Sequence, residues 1–245
     1  METFNIDMAW KVRNLHTFLP IILALIGFGT FWFISKSEVI KAKYTAKYDP
    51  DQASIKHILM TKYVGLITMG ILPLLICLIA LPEYGISDYG LYIEPSTSIT
   101  SLFWIIGLSF LVVPLVFFSA KKEKNLVNYP QIRAKVWSKN LKARNAMGWA
   151  AYLFGYELLF RGVLLFPLFH EFGIWPAVAI NIALYSATHI PKGLDETIGA
   201  IPLGLVLCIL TLLTGTIWIA FILHVIMAWT NTFTAQKFNP AMKSV

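Results

Sequence analysis

The sequence has few charged residues and almost no cysteine. Only 13% of its 245 residues are charged, whereas a soluble domain carries roughly a quarter. Its two cysteines, Cys77 and Cys208, lie in apolar segments, which excludes a disulfide framework and a cysteine-rich metal cluster. It also lacks any phosphate-binding glycine loop or nucleic-acid-binding motif, so its net charge of +7 does not indicate a nucleic-acid partner. Hydrophobic residues make up 57% of the chain and the mean hydropathy is +0.67, which indicates a membrane protein.

The apolar residues fall into runs of about the length that a membrane helix needs, which is about 20 residues. The residue-by-residue alternation of transmembrane strands is absent. The sequence therefore predicts an all-α, polytopic transmembrane helical bundle of about seven spans. The predicted spans are residues 17–35, 64–81, 100–119, 149–166, 175–190, 198–213 and 215–233.

The basic residues lie in alternate loops. Loop 36–63 carries six lysines against three acids, and loop 120–148 has eight basic residues against one acid, whereas loop 82–99 has three acids and no basic residue. The positive-inside rule places the two basic loops and the C-terminal tail in the cytoplasm. We therefore expect a multi-pass protein of the plasma membrane whose C-terminus is cytoplasmic and whose loop 120–148 meets anionic lipid head groups.

Two charged residues interrupt the fourth span. Glu157 and Arg161 stand four residues apart in "GYELLFRG", residues 155–162, so they share one helical face and can neutralise each other. A charge at bilayer depth costs roughly 2.5–3.5 kcal/mol, and an apolar pair in its place is often at least as stable. The pair either fixes helix packing or lines a wet cavity, and ionisable groups inside membranes favour the second interpretation.

Polar residues on later spans are candidates for the same cavity. His189 ends the fifth span, His224 lies midway along the seventh, and Asn231 follows two turns later on the same face. Each histidine alone is compatible with a hydrogen-bonded packing residue. Together with a glutamate, histidines activate water as general bases, and the same residue types bind zinc. The pattern indicates hydrolysis of an amide in a water-filled pocket within the membrane.

Three short motifs on three spans resemble those of the CPBP family of intramembrane proteases, which includes the type II CAAX prenyl endopeptidases and bacteriocin-processing and immunity relatives. The motif E-E-x-x-x-R reads "YELLFR" at 156–161, F-x-x-x-H reads "YSATH" at 185–189, and H-x-x-x-N/D reads "HVIMA" at 224–228. The first and third motifs are divergent. The resemblance covers about residues 125–233 and implies a CAAX-protease-like helical core.

The resemblance also implies a division of the chain. We expect N-terminal transmembrane helices and loops in residues 1–120, the CAAX-protease-like core in residues 121–235, and a cytoplasmic tail in residues 236–245.

The activity implied by the resemblance is that of an intramembrane endopeptidase, which cuts a peptide or protein substrate near the cytoplasmic membrane face. In that interpretation the carboxylate activates water directly or on a metal, the arginine orients it, and the histidines bind water and stabilise the oxyanion. The residues for these roles are Glu157, Arg161, His189, His224 and Asn231. If a divalent metal such as zinc takes part, Glu157, His189 and His224 would hold it.

Two positions depart from the family pattern. Tyr156 replaces the first glutamate, which is commonly assigned to water activation, and Ala228 replaces the final Asn or Asp, for which Asn231 is a candidate substitute. These departures favour an alternative function, that of a non-catalytic scaffold or immunity-type protein that binds a peptide or lipid-linked ligand in the same cavity. A lesser alternative is a small transporter, against which the spans show no inverted repeat.

Overall fold

The computed structural model describes residues 9–245, and within this range it confirms the predicted all-α bundle. The first eight residues of the predicted unit 1–120 lie outside the described part. The helices are α1 (Asn14–Lys36), α2 (Glu38–Lys47), α3 (Pro50–Ala80), α4 (Pro95–Ala120), α5 (Glu123–Asn128), α6 (Lys139–Phe172), α7 (Ile174–Ala187), α8 (Leu194–Thr214) and α9 (Trp218–Phe238).

Short elements complete the described chain. Single 3₁₀ turns cover Ile86–Tyr89 and Ile190–Lys192. Two parallel two-residue strands, β1 (Val136–Trp137) and β2 (Lys243–Ser244), pair with each other and attach the C-terminal tail to the loop before α6.

Six of the described helices, α1, α3, α4, α6, α8 and α9, are long and apolar enough to cross a membrane. The fifth predicted span, residues 175–190, forms the 14-residue helix α7, which is about 21 Å long at 1.5 Å per residue. Glycines with positive φ directly precede α7 and α8, Gly173 at 77° and Gly193 at 109°. In the described part of the chain, six of the seven predicted spans are therefore long helices, and the short helix α7 takes the place of the fifth.

Contacts between loops define two ends of the bundle. At one end, the N–H of Ile217 donates to the carbonyl of Gly90 at 3.0 Å. At the other end, Lys124 Nζ lies 2.7 Å from Asp195 Oδ2, and the N–H of Arg133 donates to Ser54 Oγ at 2.8 Å. This second end, which we name the basic end, comprises residues 36–63, 121–138, 189–196 and 239–245. It brings together the basic loops and the tail, the segments that the charge pattern predicts to share one side.

Helix α6 lies at the centre of the bundle. Its most apolar window is 83% buried, whereas the corresponding windows of the other long helices are at most 39% buried. Glycines let α3 contact α6 backbone to backbone: a Cβ atom added to Gly155 would lie 2.8 Å from the Cα of Leu66. Small residues at such crossings allow membrane helices to pack closely. This crossing fixes the part of α6 that immediately precedes Glu157.

Immediately after Glu157, α6 changes to π-helical geometry over Leu158–Leu165. Such wide turns are frequent at functional sites. The buried Asn181 of α7 donates its side-chain amide to the carbonyl of Phe160, and its oxygen accepts from Cys208 Sγ at 3.2 Å. Because a buried carbonyl needs a donor, Asn181 stabilises the altered turn and ties α6 to α7 and α8.

The crossing of α3 and α6 gives a test of the packing. Gly155→Ala would place a methyl group against the α3 backbone, and overpacking of this kind typically costs about 1–3 kcal/mol. We expect a lower thermal unfolding temperature in detergent, measured by the loss of the monodisperse size-exclusion peak. The matched control is Gly107→Ala on α4, where an added Cβ meets nothing within 4 Å. Equal melting temperatures for the two variants would contradict the close crossing.

Candidate active site

Glu157 and Arg161 lie in the middle of α6 with side chains that are 0% exposed. Arg161 Nη1 is 3.3 Å from Glu157 Oε2. The guanidinium also lies over the ring of Tyr185, with its central carbon 4.1 Å from the ring centroid. The carboxylate and the π face of the tyrosine thus both offset the buried positive charge.

The other carboxylate oxygen of Glu157 contacts the third motif. Its Oε1 accepts a hydrogen bond from His224 Nδ1, since an ionised carboxylate can only accept. In a neutral imidazole, His224 Nε2 is then an acceptor, and the hydroxyl of Tyr185 lies 3.1 Å from it. A carboxylate behind one ring nitrogen, with the second nitrogen directed away, is the arrangement that makes a histidine a general base.

The second motif adds His189 next to this pair. Its Nδ1 lies 3.1 Å from the carbonyl of Tyr185, to which the hydroxyl of Thr188 also donates at 2.7 Å. Thr188 therefore accepts from the hydroxyl of Tyr156, 2.7 Å away. Tyr156, which stands where the family has a glutamate, is thus bonded to the second motif at the end of α7.

A cavity of about 320 Å³, which we name the histidine cavity, lies beside these groups. His189, His224 and Asn231 line it, together with Tyr156. Neither Glu157 nor Arg161 is among its described lining residues, so the expectation that this pair itself lines the cavity is wrong, and the pair is enclosed in the helix packing. Asn231 lies at the part nearer the basic end, where its oxygen accepts from Asn125 Nδ2 at 2.9 Å.

The structure thus brings four of the five predicted residues into one cluster and places the fifth, Asn231, along the same cavity with a different partner. Sequence reasoning identifies Tyr185 only as the aromatic position of the second motif. In the structure it contacts both Arg161 and His224. The motif spacing gives no sign of this double contact, because it joins residues from three helices, α6, α7 and α9.

The three predicted metal ligands do not form a ligand set in this structure. In the range 9–245, no group of three His, Cys, Asp or Glu side chains is placed to hold a metal ion. Glu157 and His224 form a hydrogen bond with each other, and His189 directs its Nδ1 at the carbonyl of Tyr185. Catalytic zinc usually takes three protein ligands, so this donor arrangement does not fit it, and a divalent metal stays a prediction.

Comparison with known families identifies the same helices. Residues 145–230 match a protein-family model described as type II CAAX prenyl endopeptidase Rce1-like. The matched region is just over a third of the chain and contains all three motifs, so the predicted resemblance is confirmed there. No curated protein and no solved structure matches the chain. The apolar helices and the family match together indicate an integral membrane protein related to a family of proteases.

The buried pair gives a test of coupling. Arg161→Met or Glu157→Gln alone leaves a buried polar or charged partner unpaired, which typically costs about 3–5 kcal/mol. We expect the double variant to lose less stability than the sum of the two single losses. Thermal unfolding of the purified protein in detergent would measure all three variants.

The control for this cycle is the pair Lys41 and Glu38, whose side chains are 55% and 81% exposed with nitrogen and oxygen 3.4 Å apart. Its two single variants and its double variant should differ little from the native protein. Strictly additive losses at Glu157 and Arg161 would contradict an energetic pair.

Proposed function

We propose that this protein is an intramembrane endopeptidase that hydrolyses peptide bonds in the histidine cavity. The observation that carries the proposal is the contact between Glu157 and His224: a buried carboxylate lies behind an imidazole whose ring lines a cavity. The family match over the same helices supports a hydrolase of this class. The cavity reaches the basic end, which the positive-inside rule assigns to the cytoplasm.

In the proposed reaction, His224 Nε2 takes a proton from water as the water oxygen attacks the carbonyl carbon of the peptide. The same nitrogen then gives that proton to the leaving amine as the C–N bond breaks. Glu157 stabilises the imidazolium that forms in between, and Arg161 keeps Glu157 ionised and oriented. Glu157 thus acts on water through His224. The hydroxyl of Tyr185 must yield its place at Nε2 to the water, and it is then a donor for the oxyanion.

Two further residues have roles that follow from their hydrogen bonds. His189 donates from Nδ1 to a carbonyl, so its Nε2 is an acceptor that can hold the attacking water. Asn231 uses its side-chain oxygen to accept from Asn125, which leaves its amide N–H groups for a substrate carbonyl. Both groups line the histidine cavity, where an extended peptide would contact them.

The proposal predicts the loss of cleavage in two variants. Glu157→Gln and His224→Gln should each lower peptide cleavage by at least about 100-fold, because general-base catalysis contributes 10²–10⁴-fold. The measurement is mass spectrometry of a mixed peptide library incubated with the detergent-purified protein. The control is His170→Gln, because His170 stacks on Tyr84 at the opposite end of the bundle. Cleavage that persists in each of the two single variants would contradict the proposal.

Metal removal tests the other prediction from the family resemblance. Glu157 and His224 form a hydrogen bond with each other, and the described residues contain no group of three metal ligands. We therefore expect cleavage to be unchanged by a chelator such as 1,10-phenanthroline. The assay is the same peptide digestion, before and after dialysis against the chelator. If cleavage disappears and returns with added zinc, a metal takes part and His189 must move towards the other two residues.

A second candidate function is a non-catalytic scaffold or immunity-type protein that binds a peptide or lipid-linked ligand. The observation that favours it is Tyr156, whose hydroxyl is held by Thr188 where the family has a carboxylate. Tyr156→Glu distinguishes the two functions in the same cleavage assay. If only Tyr156→Glu cleaves, and the native chain does not, the native cavity is a binding site.

A further inference from the structure

A buried lysine on α3 takes no part in the proposed chemistry. Lys62 is 2% exposed, and among the ion pairs of the described residues none includes its ammonium group. Its nitrogen lies 3.1 Å from the centroid of the Trp149 ring and donates to the side-chain oxygen of Gln131 at 3.1 Å. A buried ammonium without an anion is costly, and these two neutral contacts offset only part of that cost.

Lys62 lines a second cavity of about 290 Å³ at the basic end, which we name the lysine cavity. Lys36 and Lys192 also line it, and Glu196 is the one carboxylate in its lining. Glu196 is 3.7 Å from Lys192, so three lysines face a single carboxylate among the described lining residues. A cleft with low-dielectric walls focuses the potential of its charges. The charge of this lining is therefore complementary to an anionic ligand.

The wall that α1 gives to the lysine cavity changes from charged to apolar with depth. Lys36 and Ser35 lie at the end of α1, and Trp32, Phe31 and Phe28 follow towards the middle of the helix. From Lys36 to Phe28 the helix rises about 12 Å. A ligand with an anionic group beside the lysines and hydrocarbon beside the aromatic rings would fill this wall. A free anion would contact only the part of this wall that lies near Lys36.

We propose that the lysine cavity binds an anionic membrane phospholipid, with its phosphate on Lys62 and its acyl chain along the aromatic face of α1. Charge complementarity and the change of polarity with depth carry the inference. An ammonium group has three donors, so Lys62 can bind a phosphate oxygen while it keeps its contact with Gln131. The site does not depend on the proposed peptidase activity, because none of the groups that bind the phosphate takes part in it.

The lysine cavity and the histidine cavity share four aromatic wall residues. These are Tyr129, Trp149, Tyr152 and Tyr156. A headgroup on Lys62 would contact the side of Trp149 that already holds the ammonium group. Lipid binding would therefore order a wall of the cavity in which we place the peptide.

The test compares native protein and Lys62→Met in nanodiscs of phosphatidylcholine alone and of phosphatidylcholine with phosphatidylglycerol. Native mass spectrometry counts the retained phosphatidylglycerol, and thermal unfolding measures its stabilising effect. We expect Lys62→Met to retain phosphatidylglycerol at least about tenfold more weakly, since a hydrogen bond to a charged group is worth that much. Its fold should survive, because the substitution removes an unpaired buried charge. If it does not fold, Lys192→Met should show the same direction of change.

The matched control is Lys56→Met, six residues earlier on the same helix, whose ammonium also lies over an aromatic ring, at 4.7 Å from the Tyr48 centroid. Lys56 does not line the lysine cavity, so its variant should retain the lipid as the native protein does. Equal retention by Lys62→Met and Lys56→Met would overturn the proposal and leave Lys62 as a packing residue.

Two further arms identify the source of the anion. Inorganic phosphate should not displace phosphatidylglycerol, and displacement at equal concentration would show a free-anion site in place of a lipid site. A peptide with a free C-terminal carboxylate should compete no better than its C-terminal amide. Stronger Lys62-dependent competition by the acid would reassign the cavity to the peptide substrate and overturn the lipid proposal.

Discussion

A carboxylate and a guanidinium in the middle of a membrane-embedded helix can be kept only if protein surrounds them. Glu157 and Arg161 fulfil this condition because α6 is the central helix and the other helices pack around it. The aromatic ring of Tyr185 covers the cation, and His224 takes the second oxygen of the anion. The close α3 crossing before Glu157 and the Asn181 contact after it then fix where the pair can lie. The packing of the core is thus organised around one ion pair.

The sequence predicts those features that depend on residue type at short spacing. The long apolar runs give the membrane helices, and the alternation of basic and acidic loops places the correct segments together at the basic end. The spacing of Glu157 and Arg161 gives their ion pair, and the three motifs give the histidines. These predictions succeed because each depends on residue composition or spacing within one segment of the chain, and not on how the helices pack.

The features that the sequence does not predict depend on contacts between helices. The predicted second span begins at residue 64, but α3 begins at Pro50. The polar first part of α3 is stabilised by packing against α2 and α6, which a hydropathy window does not register. The predicted fifth span is shorter than expected, because the chain turns into a 3₁₀ segment at Ile190–Lys192 and reverses at Gly193. Its apolar composition suits a short helix with one face buried in the bundle as much as a full span.

The position of Tyr156 relates the two cavities to each other. Its side chain lines both: one has three lysines in its lining, the other has two histidines, and Lys192 lies on the wall that they share. A glutamate there would add a second carboxylate next to Glu157, and it would also place a negative charge on the wall of the lysine cavity. The like charge would oppose ionisation of Glu157, whereas the lysines would attract the new carboxylate away from the histidines. A neutral tyrosine, held by Thr188, avoids both effects: Glu157 keeps Arg161 and His224 as its partners, and the lysine cavity keeps its excess of positive charge for an external anion. The departure from the family motif is therefore consistent with a chain that divides anion binding and water activation between two adjoining cavities.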